Sequence, residues 1–453
     1  MKKNIVVLII FFLGFWIVFQ GLQNKSVYDN TFGKLYNNWV NINGNRMLAD
    51  VPYISLKNEN YSNWDAYSYN YVRENGYYNN PFGERIFAFF PMFPYIWRFL
   101  HIPPVGILFY NFILFGISLL ILIKLFSDKK YNENLLILLS LPSTIIFFIP
   151  YTEATFLFFI TIGIYGFIKD KYWILFMGLF LASMTKPTYI FLFLSIVGTE
   201  AFFLMGHKRY LETIKNTFLR IAPLFAGALA VSLLQLRQGS GSLIKFIEVQ
   251  KYWDHKFSIP HNLRDWSHEG FGINMGVIFI IAIPFFVFVF QKYYKQIIGF
   301  FKVEKNTQIV SKNEYLMVLS MLYTSGLALF IIFFQGGSLH NLFRYTITSP
   351  FFFILFLMAF NKIKDFKLNF RFFIISLLSL QSIFMVSFAN CSGIWNFSDF
   401  GLILLIAASY FWVFQDFSSN IFYKIGLYLT CFMNIVWTTY LFNMYLSNGW
   451  IFA

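Results

Sequence analysis

The feature that most constrains this chain is a series of long apolar segments without charged residues. Residues 105–123 contain no Asp, Glu, Lys or Arg, and neither do residues 5–19. Such stretches approach the roughly 20 residues that a helix needs to cross a bilayer. Only 12% of the 453 residues are charged, against about 25% in ordinary soluble domains. A surface so poor in charge is unsuited to water, and the sequence predicts an all-α, polytopic transmembrane protein.

The apolar segments predict one integral-membrane domain over residues 1–453, with about 11–13 spans. The candidate spans are 5–22, 105–123, 134–149, 153–168, 172–185, 187–205, 217–236, 272–291, 314–334, 345–361, 372–389, 399–415 and 421–446. Two large loops are expected, at 23–104 and 237–271, the first with interfacial helices.

Basic residues cluster in alternate short connections between these spans. The first such connections contain Lys124, Lys129, Lys130, Lys169, Lys171, Lys208, Arg209 and Lys215. By the positive-inside rule this distribution places the N-terminus in the cytoplasm and both large loops outside. The formal net charge of +14 is then explained by loop residues, so no nucleic-acid partner is expected.

Asp65 is the most suggestive acid of the first outer loop. It lies between Trp64 and Tyr67 in an aromatic-rich stretch. Aromatic walls limit solvent access and favour the protonated form of a carboxyl, which suits a general base. The alternative is an interfacial aromatic belt with an incidental Asp.

The segment 85–100 is apolar and basic near both ends, as expected for a chain in the headgroup layer. Pro91 and Pro94 are predicted to prevent a regular helix through its middle. The segment is expected to form an entrance for a lipid tail, a membrane anchor, or both.

Two further outer positions are candidates for binding. Glu153, after Tyr151, is expected to bind a substrate hydroxyl, to order Asp65, or only to favour the helix dipole. The stretch 335–340, ending in His340, leads into Arg344 and Tyr345 and suits a phosphate, although an Arg at a span end also snorkels. The histidine spacings match no metal pattern, and no metal is expected.

Several of these residues together resemble one family. They are Trp64-Asp65-Ala66, Gly76-Tyr77, Glu84, Ala88-Phe89-Phe90-Pro91, Pro94, Pro142-Ser143, Phe148, Tyr151-Thr152-Glu153, Lys186-Pro187, His340 and Arg344-Tyr345. In this order they resemble the PIG-V family, the GPI mannosyltransferase II enzymes and their bacterial relatives among the GT-C glycosyltransferases.

The resemblance implies an inverting transfer of a hexose, mannose in the family, from a polyprenyl-phosphate-linked donor to an acceptor hydroxyl outside the membrane. Asp65 matches the general base, and Arg344 would stabilise the departing lipid phosphate. The implied substrate-binding residues are Trp64, Glu84, Tyr151, Glu153, Lys186, His340, Arg344 and Tyr345. No nucleotide sugar or other cofactor is implied.

Two positions depart from the family pattern. Lys186 and Asn63 stand where relatives often have Arg, which affects donor and acceptor specificity. A composition rich in Asn, Lys, Ile and Phe suggests a bacterium, so the expected location is the inner membrane with an extracytoplasmic site. The acceptor is then expected to be a glycolipid, a glycan or a protein.

Two other functions are compatible with an aromatic and basic membrane protein. A flippase or transporter of lipid-linked glycans would have charged residues within its spans and internal repeats. A polymerase or ligase would transfer whole glycans from a lipid carrier. The segment from Trp64 to Pro94 favours the single-sugar transferase.

Overall fold

The computed structural model describes the greater part of the chain. The described residues are 2–27, 37–42, 45–50, 56–78, 81–127, 135–136, 138–139, 142–207, 210–253, 257, 311–334, 344–345, 348–363 and 421–448. The predicted spans 272–291, 372–389 and 399–415 lie outside them, as do His340 and about half of the second large loop.

The described part of the chain is helical apart from one hairpin. Its helices are α1 (Lys2–Leu22), α2 (Asp65–Asn75), α3 (Met92–Leu100), α4 (Pro104–Phe126), α5 (Glu153–Ile168), α6 (Tyr172–Ser183), α7 (Tyr189–His207), α8 (Tyr210–Arg237), α9 (Lys245–Glu248), α10 (Lys312–Phe334), α11 (Pro350–Ile363) and α12 (Ile421–Leu446). Short 3-10 helices cover Asn58–Tyr61, Gly83–Ala88, Pro142–Phe147 and Val249–Trp253.

The hairpin was not predicted. Its strands, β1 (Asn37–Ile42) and β2 (Asn45–Asp50), are antiparallel, with Asn37 opposite Asp50 and Ile42 opposite Asn45. The intervening Asn43-Gly44 is the strongest short-range hairpin signal in a sequence. The predicted all-α class holds for the described membrane part, and this short hairpin in the first loop is an addition to it.

Among the described residues, four helices are long and apolar enough to cross a membrane. They contain the segments Pro104–Phe126, Tyr210–Arg237, Lys312–Ile331 and Lys424–Asn443. Shorter apolar helical segments occur at Ile5–Gly21, Glu153–Ile168, Tyr172–Ser183 and Tyr189–Leu204. This confirms the coarse prediction of a helical membrane protein.

Two local predictions need correction. The predicted span 134–149 contains a 3-10 helix over Pro142–Phe147, in a stretch with prolines at 142 and 150. Conversely, the prolines at 91 and 94 do not prevent a helix. Pro91 caps α3 and Pro94 falls in its first turn, where no intrahelical N–H donor is required.

Hydrogen bonds define two ends of the helix bundle. At one end Gln23, after α1, donates to Asn443 of α12, and Gln235 of α8 donates to the Phe87 carbonyl of the first loop. At the other end, Lys312 at the start of α10 donates to the Ile168 carbonyl at the end of α5. We call the first the loop end, because the described parts of both large loops lie there.

Backbone contact between α5 and α6 fixes the centre of the bundle. A Cβ built on Gly178 would lie 2.4 Å from the Gly163 nitrogen and 2.7 Å from the Phe159 carbonyl oxygen. Small residues of this kind let membrane helices approach closely enough to gain dispersion energy. The pair matters for the loop end because α5 begins at Glu153 and α6 ends three residues before Lys186.

We expect Gly178→Ala to lower the free energy of unfolding by about 1–3 kcal/mol, because the added methyl meets backbone atoms that cannot rotate away. Thermal unfolding of purified protein in detergent measures the effect. Gly14→Ala is the matched control, since a Cβ there has no atom within 4 Å. It should be neutral or slightly stabilising, as Ala favours helix over Gly. Equal effects of the two variants would contradict the close packing.

Candidate functional site

The Gly76-Tyr77 pair fastens the first loop to the end of α8. Gly76 ends α2 with φ +71°, and a Cβ there would lie 2.8 Å from the Gln238 side-chain oxygen. That same oxygen accepts the Tyr77 N–H at 3.0 Å, and the Tyr77 hydroxyl donates to the Phe89 carbonyl at 2.6 Å. A side chain at 76 would obstruct this contact, so glycine is required by space as well as by conformation.

The end of α12 holds the segment just before Asp65. The Asn63 amide donates to the Tyr445 and Leu446 carbonyls at 2.8 and 3.2 Å, so it satisfies acceptors that the helix leaves open. In return, the Tyr445 hydroxyl donates to the Asn63 carbonyl at 3.3 Å. Between these contacts Trp64 has φ +55°, a conformation that costs a non-glycine residue about 1–3 kcal/mol. The surrounding contacts thus fix the start of α2, whose first residue is Asp65.

Four charged side chains meet at the loop end, which we call the charge cluster. Arg344 donates from Nη1 to Asp65 Oδ2 at 2.7 Å and from Nε to Glu153 Oε1 at 2.8 Å. Lys186 donates from Nζ to the same Glu153 oxygen, also at 2.8 Å. Two cations therefore share one buried carboxylate, and one of them also binds Asp65. The chain brings these residues together from four separate segments.

Exposure changes sharply across the charge cluster. The Glu153 side chain is 1% exposed, Arg344 7% and Lys186 11%, whereas Asp65 is 36% exposed. Glu153 Oε2 is buried and has no hydrogen-bond partner among the described residues. Asp65 is thus the member that faces the accessible side, and Glu153 is the innermost.

Aromatic rings surround the two cations. The Arg344 guanidinium lies 4.4 Å from the centre of the Tyr151 ring, and Lys186 Nζ lies 4.6 Å from that of Tyr345. Desolvated contacts of this type stabilise a cation by about 2 kcal/mol. Burial lowers the pKa of the Lys186 ammonium, while the Glu153 carboxylate opposes that shift. The rings and carboxylates together hold both positive charges away from bulk water.

Neighbouring tyrosines are poor candidates for a base. Tyr69, one turn after Asp65 on α2, is 7% exposed, and burial raises the pKa of its phenol well above the ordinary value. Its hydroxyl stays protonated at neutral pH. This leaves Asp65 as the accessible carboxylate of the cluster. The sequence predicted aromatic walls around Asp65. In the structure its carboxylate also accepts a hydrogen bond from the Arg344 guanidinium.

The structure brings most of the predicted site residues together. One connected set of contacts, which Arg344 joins to Asp65, contains Tyr151, Glu153, Lys186, Arg344 and Tyr345. Trp64 is partly buried and packs against the main hydrophobic core. The link from Glu153 through Arg344 to Asp65 favours the expectation that Glu153 orders the Asp.

Glu84 lies apart from the charge cluster. It accepts hydrogen bonds from Lys245 Nζ at 2.6 Å and from the Tyr252 hydroxyl at 3.1 Å, and these contacts lower the pKa of its carboxyl. Its described partners therefore belong to the second large loop, and Glu84 joins the two loops to each other. A role in binding substrate has no support from these contacts.

Sequence reasoning missed Asn63 and Tyr445 as supports of the site. Asn63 was noted only as a departure from the family pattern, and Tyr445 is one aromatic residue in an aromatic-rich helix. The two are 382 positions apart. No local pattern marks such a pair, because only the fold brings them together.

A second group of buried charges lies toward the opposite end of the bundle. Arg220 of α8 donates to Glu200 of α7, and the Tyr315 hydroxyl of α10 donates to the same carboxylate at 3.1 Å. The Arg220 guanidinium lies 4.3 Å from the centre of the Tyr315 ring. No sequence pattern pointed to charges packed between spans, so this group was also missed.

Fold and site together define a membrane-associated helical protein with a buried charge cluster at one end. No family model, no curated protein and no solved structure matches the chain. Among the described residues no three His, Cys, Asp or Glu side chains are grouped to hold a metal ion.

Proposed function

We propose that the protein is an integral-membrane glycosyltransferase of the GT-C type. It would move a hexose, mannose by resemblance to the PIG-V family, from a polyprenyl-phosphate donor to an acceptor hydroxyl. The acceptor would be a glycolipid, a glycan or a protein at the outer face of a bacterial inner membrane. The observation that supports this best is the contact of an accessible carboxylate, Asp65, with the buried Arg344, which shares the Glu153 carboxylate with Lys186.

The proposed reaction is one inverting displacement. The acceptor oxygen attacks the anomeric carbon while its proton passes to the Asp65 carboxylate. The bond from that carbon to the phosphate oxygen breaks, and the lipid phosphate leaves with the electron pair. Arg344 and Lys186 would stabilise the negative charge that grows on the phosphate. Proton, sugar and phosphate are all accounted for without a further reactant.

A second candidate, transport of lipid-linked glycans between leaflets, has one observation in its favour. The Glu200–Arg220 pair is packed between helices α7 and α8, and charges within spans often mark a transport pathway. The pair is also bonded to Tyr315 and has the contacts of a structural cross-link. The charge cluster at the loop end has no such simple explanation, so the transferase is the better supported function.

The proposed function is tested with purified full-length protein reconstituted into vesicles. Polyprenyl-phosphate mannose is supplied with a panel of glycolipid, oligosaccharide and peptide acceptors. We expect mannose to appear on one acceptor class with the opposite anomeric configuration, and free polyprenyl phosphate to be released in equal amount. Movement of the donor between leaflets, with no transfer to any acceptor, would instead identify a flippase.

A further inference from the structure

We propose that the charge cluster admits its donor by anion exchange. A monoanionic phosphodiester takes the place of the Asp65 carboxylate on Arg344, and Asp65 is thereby released to accept a proton. This inference rests on the proposed function and deepens it. It accounts for the single phosphate of the proposed donor by charge, and it makes Glu153 a positioning residue.

The contacts of Arg344 favour the exchange. Its Nε is bonded to Glu153 at 2.8 Å and its Nη1 to Asp65 at 2.7 Å, while Tyr151 covers one face of the guanidinium. A phosphate that binds this guanidinium in the bidentate geometry typical of Arg needs two adjacent donors. Release of Asp65 frees Nη1, which can then bind a phosphate together with Nη2 of the same guanidinium.

Burial decides which carboxylate moves. Glu153 is 1% exposed and accepts hydrogen bonds from both cations, so removing it would leave two buried positive charges without a counterion. Asp65 is 36% exposed and is bonded to one cation only. Its release returns a carboxylate to water at little cost. Glu153 therefore stays in place and keeps Arg344 and Lys186 oriented toward the phosphate.

Charge counting gives the donor class. Lys186 and Arg344 contribute two positive charges, and Asp65 and Glu153 contribute two negative charges. Exchange of Asp65 for a phosphodiester monoanion keeps the buried sum at zero. A lipid diphosphate would bring additional negative charge into a site with no further cation among its described contacts, which is costly at low dielectric. The site thus suits a sugar linked through a single phosphate.

The exchange also sets an order of events. While Asp65 is paired with Arg344, its Oδ2 is occupied by the guanidinium. Donor binding removes that cation from the carboxylate, so the base becomes active only when the sugar is in place. Acceptor activation without a donor is thereby avoided.

The test measures equilibrium binding of a short-chain polyprenyl-phosphate mannose, without acceptor, to purified full-length protein in detergent micelles. Exchange predicts that Asp65→Asn binds this donor on the order of tenfold more tightly than wild type, because the competing carboxylate is gone. Asp65→Ala should show the same gain. If Asp65 contacts only the acceptor, these substitutions should leave donor affinity unchanged. If Asp65 itself binds the donor, they should weaken donor binding.

Glu74→Gln is the matched control. Glu74 lies on α2 as well, is 53% exposed, and is paired with Arg73 rather than with the charge cluster. Its removal changes net charge equally and should not alter donor affinity. Unchanged or weaker binding by both Asp65 variants, with thermal unfolding like wild type, would overturn the exchange. So would tighter binding of a polyprenyl diphosphate than of the phosphate-linked sugar by wild type.

The binding test and the function test fail separately. If the Asp65 variants bind no more tightly but lose transfer, the exchange is wrong and the transferase stands. If they bind more tightly yet no acceptor ever receives sugar from wild type, the anion site stands and the transferase is wrong.

Discussion

Asp65→Asn is expected to lower the rate of sugar transfer by about 10²–10⁴-fold, the usual contribution of a general base. The amide has the shape of the carboxylate but takes no proton from the acceptor hydroxyl. Because Asp65 lies at the accessible edge of the charge cluster, 36% exposed, its replacement should leave folding nearly intact. The measurement is single-turnover transfer from saturating polyprenyl-phosphate mannose to the acceptor found for wild type.

The control for this prediction is again Glu74→Gln, which changes an acid of the same helix outside the cluster and should transfer at the wild-type rate. A rate for Asp65→Asn within a factor of about three of wild type would show that Asp65 is not the base. Asp65 is proposed both to act as the base and to compete with the donor phosphate for Arg344. A variant that binds the donor more tightly but no longer transfers sugar would show these two roles separately.

Arg344→Gln is expected to lower the free energy of unfolding by about 3 kcal/mol and to abolish detectable transfer. The substitution removes the cation that bridges Asp65 and Glu153, and it leaves the buried Glu153 carboxylate with Lys186 as its only described cation. A carboxylate at such depth is destabilised when it loses one of its two cations, and the departing phosphate loses its bidentate partner. Thermal unfolding in detergent and the transfer assay measure the two effects.

Two further variants test whether the effect depends on the guanidinium of Arg344. They are Arg344→Lys and the control Arg237→Gln. Lys keeps the charge but cannot donate to both carboxylates in the fork geometry, so we expect intermediate stability and transfer still far below wild type. Arg237 is an exposed residue that ends α8 near the loop end, and its replacement should change neither quantity. Loss of stability without loss of transfer in Arg344→Gln would assign the residue to structure alone.

Several local features of the fold follow from sequence because short-range physics fixes them. Uncharged segments such as 105–123 form apolar helices, since a backbone in lipid must satisfy its own hydrogen bonds. Pro103 and Pro104, at the N-cap and first position of α4, mark its start. The prediction failed at α3, where the rule against proline inside a helix competes with the tolerance for proline in its first turn. The rule against proline in helices was applied to Pro94, although a first-turn position exempts it.

Several residues of the candidate site could also be identified from the sequence, but the residues that they contact could not. Glu153, Lys186 and Arg344 each follow or precede a span, which suggested that they face one side of the membrane. The resemblance to a family added a role for Asp65. Glu84, chosen on the same grounds, instead pairs with Lys245 of the second large loop. Proximity in a sequence motif therefore does not establish proximity in the fold.

The sequence by itself determined the membrane class, most described helices and the identity of the acid that merits testing, because hydropathy and motif residues are local properties of the chain. Only the tertiary structure decided that Arg344 bridges Asp65 and Glu153, that Lys186 shares the same oxygen, and that α12 holds the segment before Asp65. These contacts join residues up to 382 positions apart. They exist because helix packing, including the close glycine contact of α5 with α6, brings distant helix ends to one place.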